Sequence, residues 1–305
     1  MNALLAEITA IVGPSHLLER MNQIDAIDPI SGTLTVQAGT PLQRVQEAAA
    51  EAGMQFAMVT CDTFHDLTAL LQYVRQALGE QLAAFEVMWH NHYALLTEES
   101  GRHTPPLATN AAFYVLIETL GSDQEATAQR FESVIERAFE NGHISDAVIA
   151  NATHQRERLW AIREDIEGLL HHLNPHFTFD VSLPIPEMEY YARTLEEQVA
   201  QRWPDGRIVV FGHLGDGNLH ITVTTGHPDD AALADDKLAV EALVYLPLVA
   251  MGGSVSAEHG IGLDKRAYLH LSRTSAEITL MRTLKQALDP HALLNRHKIL
   301  PDEVP

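Results

Sequence analysis

One cysteine, Cys61, occurs in 305 residues, so no internal disulfide can form and the chain suits a reducing compartment, the cytoplasm. Basic residues are scarce as well: Lys and Arg total 20 against 41 Asp and Glu, a formal charge of −21. A field of that sign excludes nucleic acid and anionic membrane as expected partners, and an anionic substrate would need positive charge gathered locally. The opening stretch, residues 1–14, lacks a basic lead-in, carries Glu7 and ends too early to span a bilayer, so it reads as a short amphipathic helix and no integral membrane segment is expected. What remains is 46% hydrophobic and 20% charged, enough for one large or two modest domains with real cores. Histidine is plentiful at 17, so an isolated one such as His65, His92 or His143 carries no functional weight.

Periodicity divides the chain into short α/β units. Residues 32–37 read as a strand with Leu34 and Val36 on one face, followed by a helix opened by Thr40-Pro41 and closed by Gly53, with no evident strand partner nearby. A helix over 62–79 carries Leu67, Leu70, Leu71, Val74 and Leu78 as one stripe. Strands follow at 82–89 and 112–119, then a helix from the Ser122-x-x-Glu125 capping box with Phe131, Val134 and Ala138 inward, a strand at 146–150 and a helix over 154–172. The second half repeats the theme: a helix over 186–203 burying Met188, Tyr191, Leu195 and Val199, a hairpin, an acidic helix over 229–250 interrupted or bent near Pro247, and a strand at 253–257. A last helix from the Thr274-x-x-Glu277 box is expected to bury Ile278, Met281, Leu284 and Leu288. The predicted fold is α+β: a split βαβ, ferredoxin-like unit used twice, with an antiparallel sheet and helices on one face.

The hairpin is the richest stretch, reading Phe-Gly-His-Leu-Gly-Asp-Gly-Asn-Leu-His from Phe211 to His220. A type I′ turn centred on Asp216-Gly217 predicts that His213 sits directly opposite His220, with Cβ atoms roughly 4.5–5.5 Å apart. Two imidazoles on one face, with Glu258 from a second glycine-bounded stretch, would make a divalent-metal site with an open position. The same residues are equally compatible with two unligated histidines and an unrelated glutamate. Glu258 and His259 cannot point the same way from a straight strand, so a bend is expected there, permitted by Gly260 and Gly262.

Five motifs in order carry a resemblance: Leu159-Trp-Ala-Ile-Arg163-Glu164, Asp180-Val-Ser-Leu-Pro184, His213-x-Gly-Asp-Gly-Asn-x-His220, Gly253-Ser-Val-Ser-Ala-Glu258-His259-Gly-Ile-Gly262, and Lys285-x-x-Leu-Asp-Pro-x-x-Leu-Leu-Asn295. From about residue 57 to the end, the chain resembles the C-terminal domain of FAD-linked oxidases, the D-lactate dehydrogenase, glycolate oxidase and D-2-hydroxyglutarate dehydrogenase relatives of the vanillyl-alcohol oxidase superfamily. The resemblance implies metal ligands His213, His220 and Glu258, with zinc the expected ion, His259 as the base, Arg163 on the substrate carboxylate and Asn295 at the FAD cofactor. It implies metal-assisted oxidation of a 2-hydroxy acid to a 2-oxo acid, with hydride passing to flavin. Read without it, Arg163 also fits an ion pair on a helix surface.

Departures from the pattern narrow that expectation. Hydroxyglutarate-type members carry Thr and Lys where this chain has Glu167 and Thr178, which disfavours a dicarboxylate substrate. Residues 1–56 resemble only pieces of the family's flavin-binding domain, a truncated remnant without its glycine-rich phosphate loops, leaving 57–305 as the substrate and metal domain. A second chain that supplies flavin or accepts electrons is then an implied partner. Two competing functions follow: a catalytically degenerate metal-binding substrate domain acting as a binding or assembly module, and a metal-dependent hydrolase.

Overall fold

The computed structural model describes residues 23–28, 33–37, 40, 41 and 44, and from 54 to 300 all but 122, 228 and 229. The helix expected over 1–14, nearly all of the one expected from Thr40-Pro41, and Ser122 lie outside the described residues. Near the start, β1 (Ile24–Asp28) pairs antiparallel with β2 (Thr33–Val36), so the strand read at 32–37 does have a local partner.

The body of the chain runs β3 (Met54–Cys61), α1 (Phe64–Leu78), β4 (Leu82–Trp89), β5 (Phe113–Leu120), α2 (Gln124–Glu140), β6 (Asp146–Ala150), α3 (Thr153–Glu164), α4 (Ile166–His172), β7 (Phe177–Ser182), α5 (Ile185–Arg202), β8 (Arg207–His213), β9 (Asn218–Thr224), α6 (Asp230–Met251) and α7 (Ser275–Leu288). Its strands form one sheet in the order β6-β3-β5-β4-β8-β9-β7, every neighbour antiparallel. The fold is therefore α+β with an antiparallel sheet. Two strands escape the sequence pattern. β3, which straddles residue 57, is buried on both faces and shows no alternation; β7 alternates, but its Thr178, Asp180 and Ser182 read as loop until a tertiary partner covers Asp180.

Alternation along the strands builds two cores. On one face Val59, Val87, Val115, Val210 and Val223 meet α1, α2, α5 and α6 through Leu67, Leu70, Phe131, Tyr191 and Val240. On the other, Met58, Met88, Leu116, Val209 and Phe211 meet Leu159 and Ile162 of α3 and Leu169 of α4. Helices thus cover both faces in part, not one as expected, because the central strands are apolar on both sides. The middle of the sheet is the β4–β8 pairing, which sets Glu86 opposite His213 and Met88 opposite Phe211.

Local chemistry places several ends differently from the sequence reading. Asp123 caps α2 by accepting from Ala126 N at 3.0 Å. The helix expected over 154–172 breaks at Asp165, whose carboxylate accepts from Gly168 N at 2.9 Å to start α4. α6 runs on through Pro247 to Met251. The expected capping box of α7 is present, with Thr274 and Glu277 bonded reciprocally, and Ile278 is buried. Leu284 and Leu288, however, are 53% and 83% exposed, because nothing among the described residues covers that side of the helix. Among the described residues no helix is long and apolar enough to cross a membrane.

Burial in these two places predicts opposite outcomes. Leu67→Ala, at a fully buried position, should cost about 3 kcal/mol in urea unfolding, whereas Leu284→Ala should change stability by less than about 0.5 kcal/mol.

Candidate metal and substrate site

The histidine hairpin closes through a short 3-10 turn, Leu214–Asp216, followed by Gly217 in the left-handed region at φ 74°. Leu214 is buried, drawing the turn into the core, so the connection is longer than the two-residue turn expected. The register moves accordingly: Phe211, not His213, lies opposite His220. A shift of two residues keeps both histidines on the same face, and their ring centroids stand 5.4 Å apart. His213, at the end of β8, pairs instead with Glu86 of β4, its Nδ1 2.6 Å from Glu86 Oε1.

Glu258 and His259 arrive on a loop, not on the strand expected at 253–257. Ser254 makes a single bridge to Ser182, and the following amides turn inward to one buried acceptor. Asp180 Oδ2 accepts from Ala257 N at 3.1 Å, Glu258 N at 3.0 Å and His259 N at 2.9 Å. Those amides are no longer free to extend a ladder. Lys265, itself buried, donates to Asp180 Oδ2 at 3.2 Å and to the Asp180 carbonyl at 2.8 Å. Gly260 and Gly262, at φ 74° and 54°, supply the expected bend.

The loop sets Glu258 Oε1 3.5 Å from His213 Nε2 and the His259 ring 5.7 Å from that of His220. His213, His220 and Glu258 each offer a ligand atom within 4.8 Å of the others, and Asp180, His220 and His259 do the same. Two imidazoles and a partly exposed carboxylate fit a divalent ion such as zinc. The Asp180 group fits less well, because its carboxylate already serves three amides and an ammonium.

Arg163 comes from α3 and is buried, with Nη2 3.1 Å from Glu86 Oε2 and its guanidinium carbon 4.5 Å from the centre of the Phe211 ring. Arg163, Phe211, His220, Thr222, Glu258 and His259 all border one cavity of about 340 Å³, floored by the sheet and roofed by Ile166, Leu169 and Leu170. Asn295 is not in that wall; it lies on the exposed C-terminal tail, its carbonyl accepting from Lys298 N at 3.1 Å.

Charge states follow from these contacts. The Glu86 hydrogen bond, against burial, raises His213 above its ordinary value. Burial, with Arg163 and His213 nearby, pushes His220 down to about 4, leaving a neutral imidazole with a lone pair to give at neutral pH. Burial favours a neutral Asp180, yet the His259 amide, Lys265 and the Glu258 amide outweigh it and hold the carboxyl at about 2. Burial lowers Arg163 and Lys265, each opposed by its carboxylate partner.

Glu86, Asp180 and Lys265 are the members that motif reading left without a role. A signal existed for the first: a lone carboxylate inside the apolar run of β4 is out of place unless paired.

Residues 51–299 match the family of FAD linked oxidases, C-terminal domain. The chain belongs to that family. This FAD-linked oxidase domain is 34% identical over 249 residues to the probable mitochondrial D-2-hydroxyglutarate dehydrogenase of Oryza sativa subsp. japonica, a match covering 81% of this chain and 43% of that protein. It is 40% identical over 199 residues to D-2-hydroxyglutarate dehydrogenase of Xanthomonas citri pv. viticola, covering 64% and 41% respectively. The chain thus spans less than half the length of the curated relatives it matches. Among solved structures it resembles p-cresol methylhydroxylase with substrate bound, at a TM-score of 0.56 and 14% identity, over 82% of this chain and 54% of that one; this likeness is one of fold.

Removing the carboxylate that anchors the loop should be costly. Asp180→Asn should lose about 3 kcal/mol at neutral pH, because buried Lys265 is left unpaired. Asp180 titrates lower folded than unfolded, so its stabilisation is full above roughly pH 4 and is lost as pH falls toward about 2. Urea midpoints of the native and variant proteins should therefore converge across that window.

Proposed function

We propose that this chain is the substrate- and metal-binding part of an FAD-linked 2-hydroxy-acid dehydrogenase, converting a 2-hydroxy acid to a 2-oxo acid. The observation that carries this reading is the clustering of His213, His220 and Glu258 beside a cavity whose wall holds His220, Glu258, the His259 imidazole and the buried Arg163 guanidinium. Arg163 would pair with the substrate carboxylate, its planar fork matching two oxygens. His213, His220 and Glu258 would hold the metal, and His259, on the same loop as Glu258, would accept the hydroxyl proton. When bound, the metal supplies Lewis acidity at the hydroxyl oxygen and the family's FAD supplies the hydride acceptor. The FAD would be held by polypeptide beyond residues 51–299, consistent with the greater length of the relatives.

The substrate we propose is a monocarboxylate of the lactate or glycolate type. Arg163 is the one Lys or Arg in the described cavity wall, where Thr178 and Thr222 face each other across β7 and β9. A second carboxylate would meet no cation there. We further propose that residues 54–150 and 177–254 are two copies of a ferredoxin-like unit joined edge to edge, as the order β6-β3-β5-β4 followed by β8-β9-β7 suggests.

Elemental analysis of protein purified without chelator should show stoichiometric metal that is lost in His213→Ala. With a flavin-bearing partner polypeptide and an artificial electron acceptor supplied, D-lactate should be oxidised, and His259→Gln should lower kcat by about 10²–10⁴-fold. Arg163→Ala should act mainly by raising KM. Metal binding with no turnover beside the flavin-bearing polypeptide would favour the binding-module alternative and sink the dehydrogenase reading for this chain.

A further inference from the structure

Glu86 touches both halves of the site. It is a 6% exposed carboxylate in β4, and each oxygen faces a different member: Oε1 lies 2.6 Å from His213 Nδ1, Oε2 3.1 Å from Arg163 Nη2. The first contact is fixed by the sheet, since Glu86 and His213 are direct cross-strand partners. The second crosses from the sheet to α3, whose Arg163 also lies over Phe211 while its Nε, buried, has no hydrogen-bond partner among the described residues. A carboxylate this deep is stable only with both partners in place.

We propose that Glu86 is a positioning residue that couples metal binding to substrate-carboxylate binding, an inference that rests on the site assignments above. By occupying Nδ1 of His213, Glu86 leaves Nε2 as the ligand atom, and Nε2 is the nitrogen facing Glu258. Through its ion pair with Nη2 of Arg163, the same carboxylate holds the guanidinium in the cavity wall and leaves Nε unused by the protein. One side chain from β4 thus sets the geometry of a metal ligand from β8 and an anion-binding group from α3.

Two substitutions separate its two duties. Glu86→Ala removes both contacts, and the zinc dissociation constant, measured by chelator competition, should weaken about 10- to 100-fold. Glu86→Gln can still accept from His213 but presents an amide that cannot serve both partners. Zinc affinity should stay within about threefold of native, while binding of 2-hydroxy-2-methylpropanoate to the zinc-loaded protein should weaken about tenfold or more by calorimetry. That probe has no Cα hydrogen and cannot be oxidised, so neither measurement depends on flavin or turnover. Failure to oxidise D-lactate would therefore sink the redox reading and leave this one intact. Unchanged zinc affinity in folded Glu86→Ala, or unchanged or tighter probe binding in Glu86→Gln, would overturn it. If Glu86→Ala does not fold, the contrast between zinc and probe in Glu86→Gln decides alone.

Discussion

The site depends on one buried carboxylate. Asp180 sits in β7 with no exposed surface and gathers the amides of residues 257–259 onto a single oxygen, with Lys265 balancing its charge. An ionised group is tolerated there because Oδ2 collects several donors and the nearest charge is opposite. The consequence is mechanical: three consecutive amides held at one point fix the backbone from which Glu258 and His259 project. Without that anchor, both would ride on an exposed loop with glycines at 260 and 262 and no reason to meet the hairpin.

A second constraint lies at the centre of the sheet. β4 and β8 join the two runs of strands, and their register puts Glu86 against His213. Around that junction the protein assembles alternating charge in a partly dry space: Glu86 between His213 and Arg163, then neutral His220, then Asp180 with Lys265. The chain carries a net charge of −21, yet the cavity wall presents a guanidinium from inside the protein. An anion would enter against the general field only where Arg163 is close and poorly screened by water.

Much of this was legible in the residues. Helical stripes at Leu67, Leu70 and Val74, or at Tyr191, Leu195 and Val199, are buried as their spacing implies, because a long amphipathic helix has one way to face a core. The α7 stripe has the same pattern, yet Leu284 and Leu288 are exposed, since periodicity names a face and says nothing of what covers it. β3 was hidden by being apolar on both sides, and the expected strand at 253–257 failed because the amides of Val255, Ser256 and Ala257 go to the side chains of Ser272, Ser254 and Asp180, which no local pattern reveals.

The sequence by itself determined which face of the hairpin its histidines share. Side chains alternate with a period of two, so His213 and His220 stay together even though the buried Leu214 moves the register by two residues. It also determined the bend at Gly260 and Gly262, because only glycine adopts those backbone angles at no cost. Tertiary structure alone decided what stands opposite those histidines. Glu86, Arg163, Asp180 and Glu258 come from segments far apart in the chain, and only sheet order and helix packing set the distances between them.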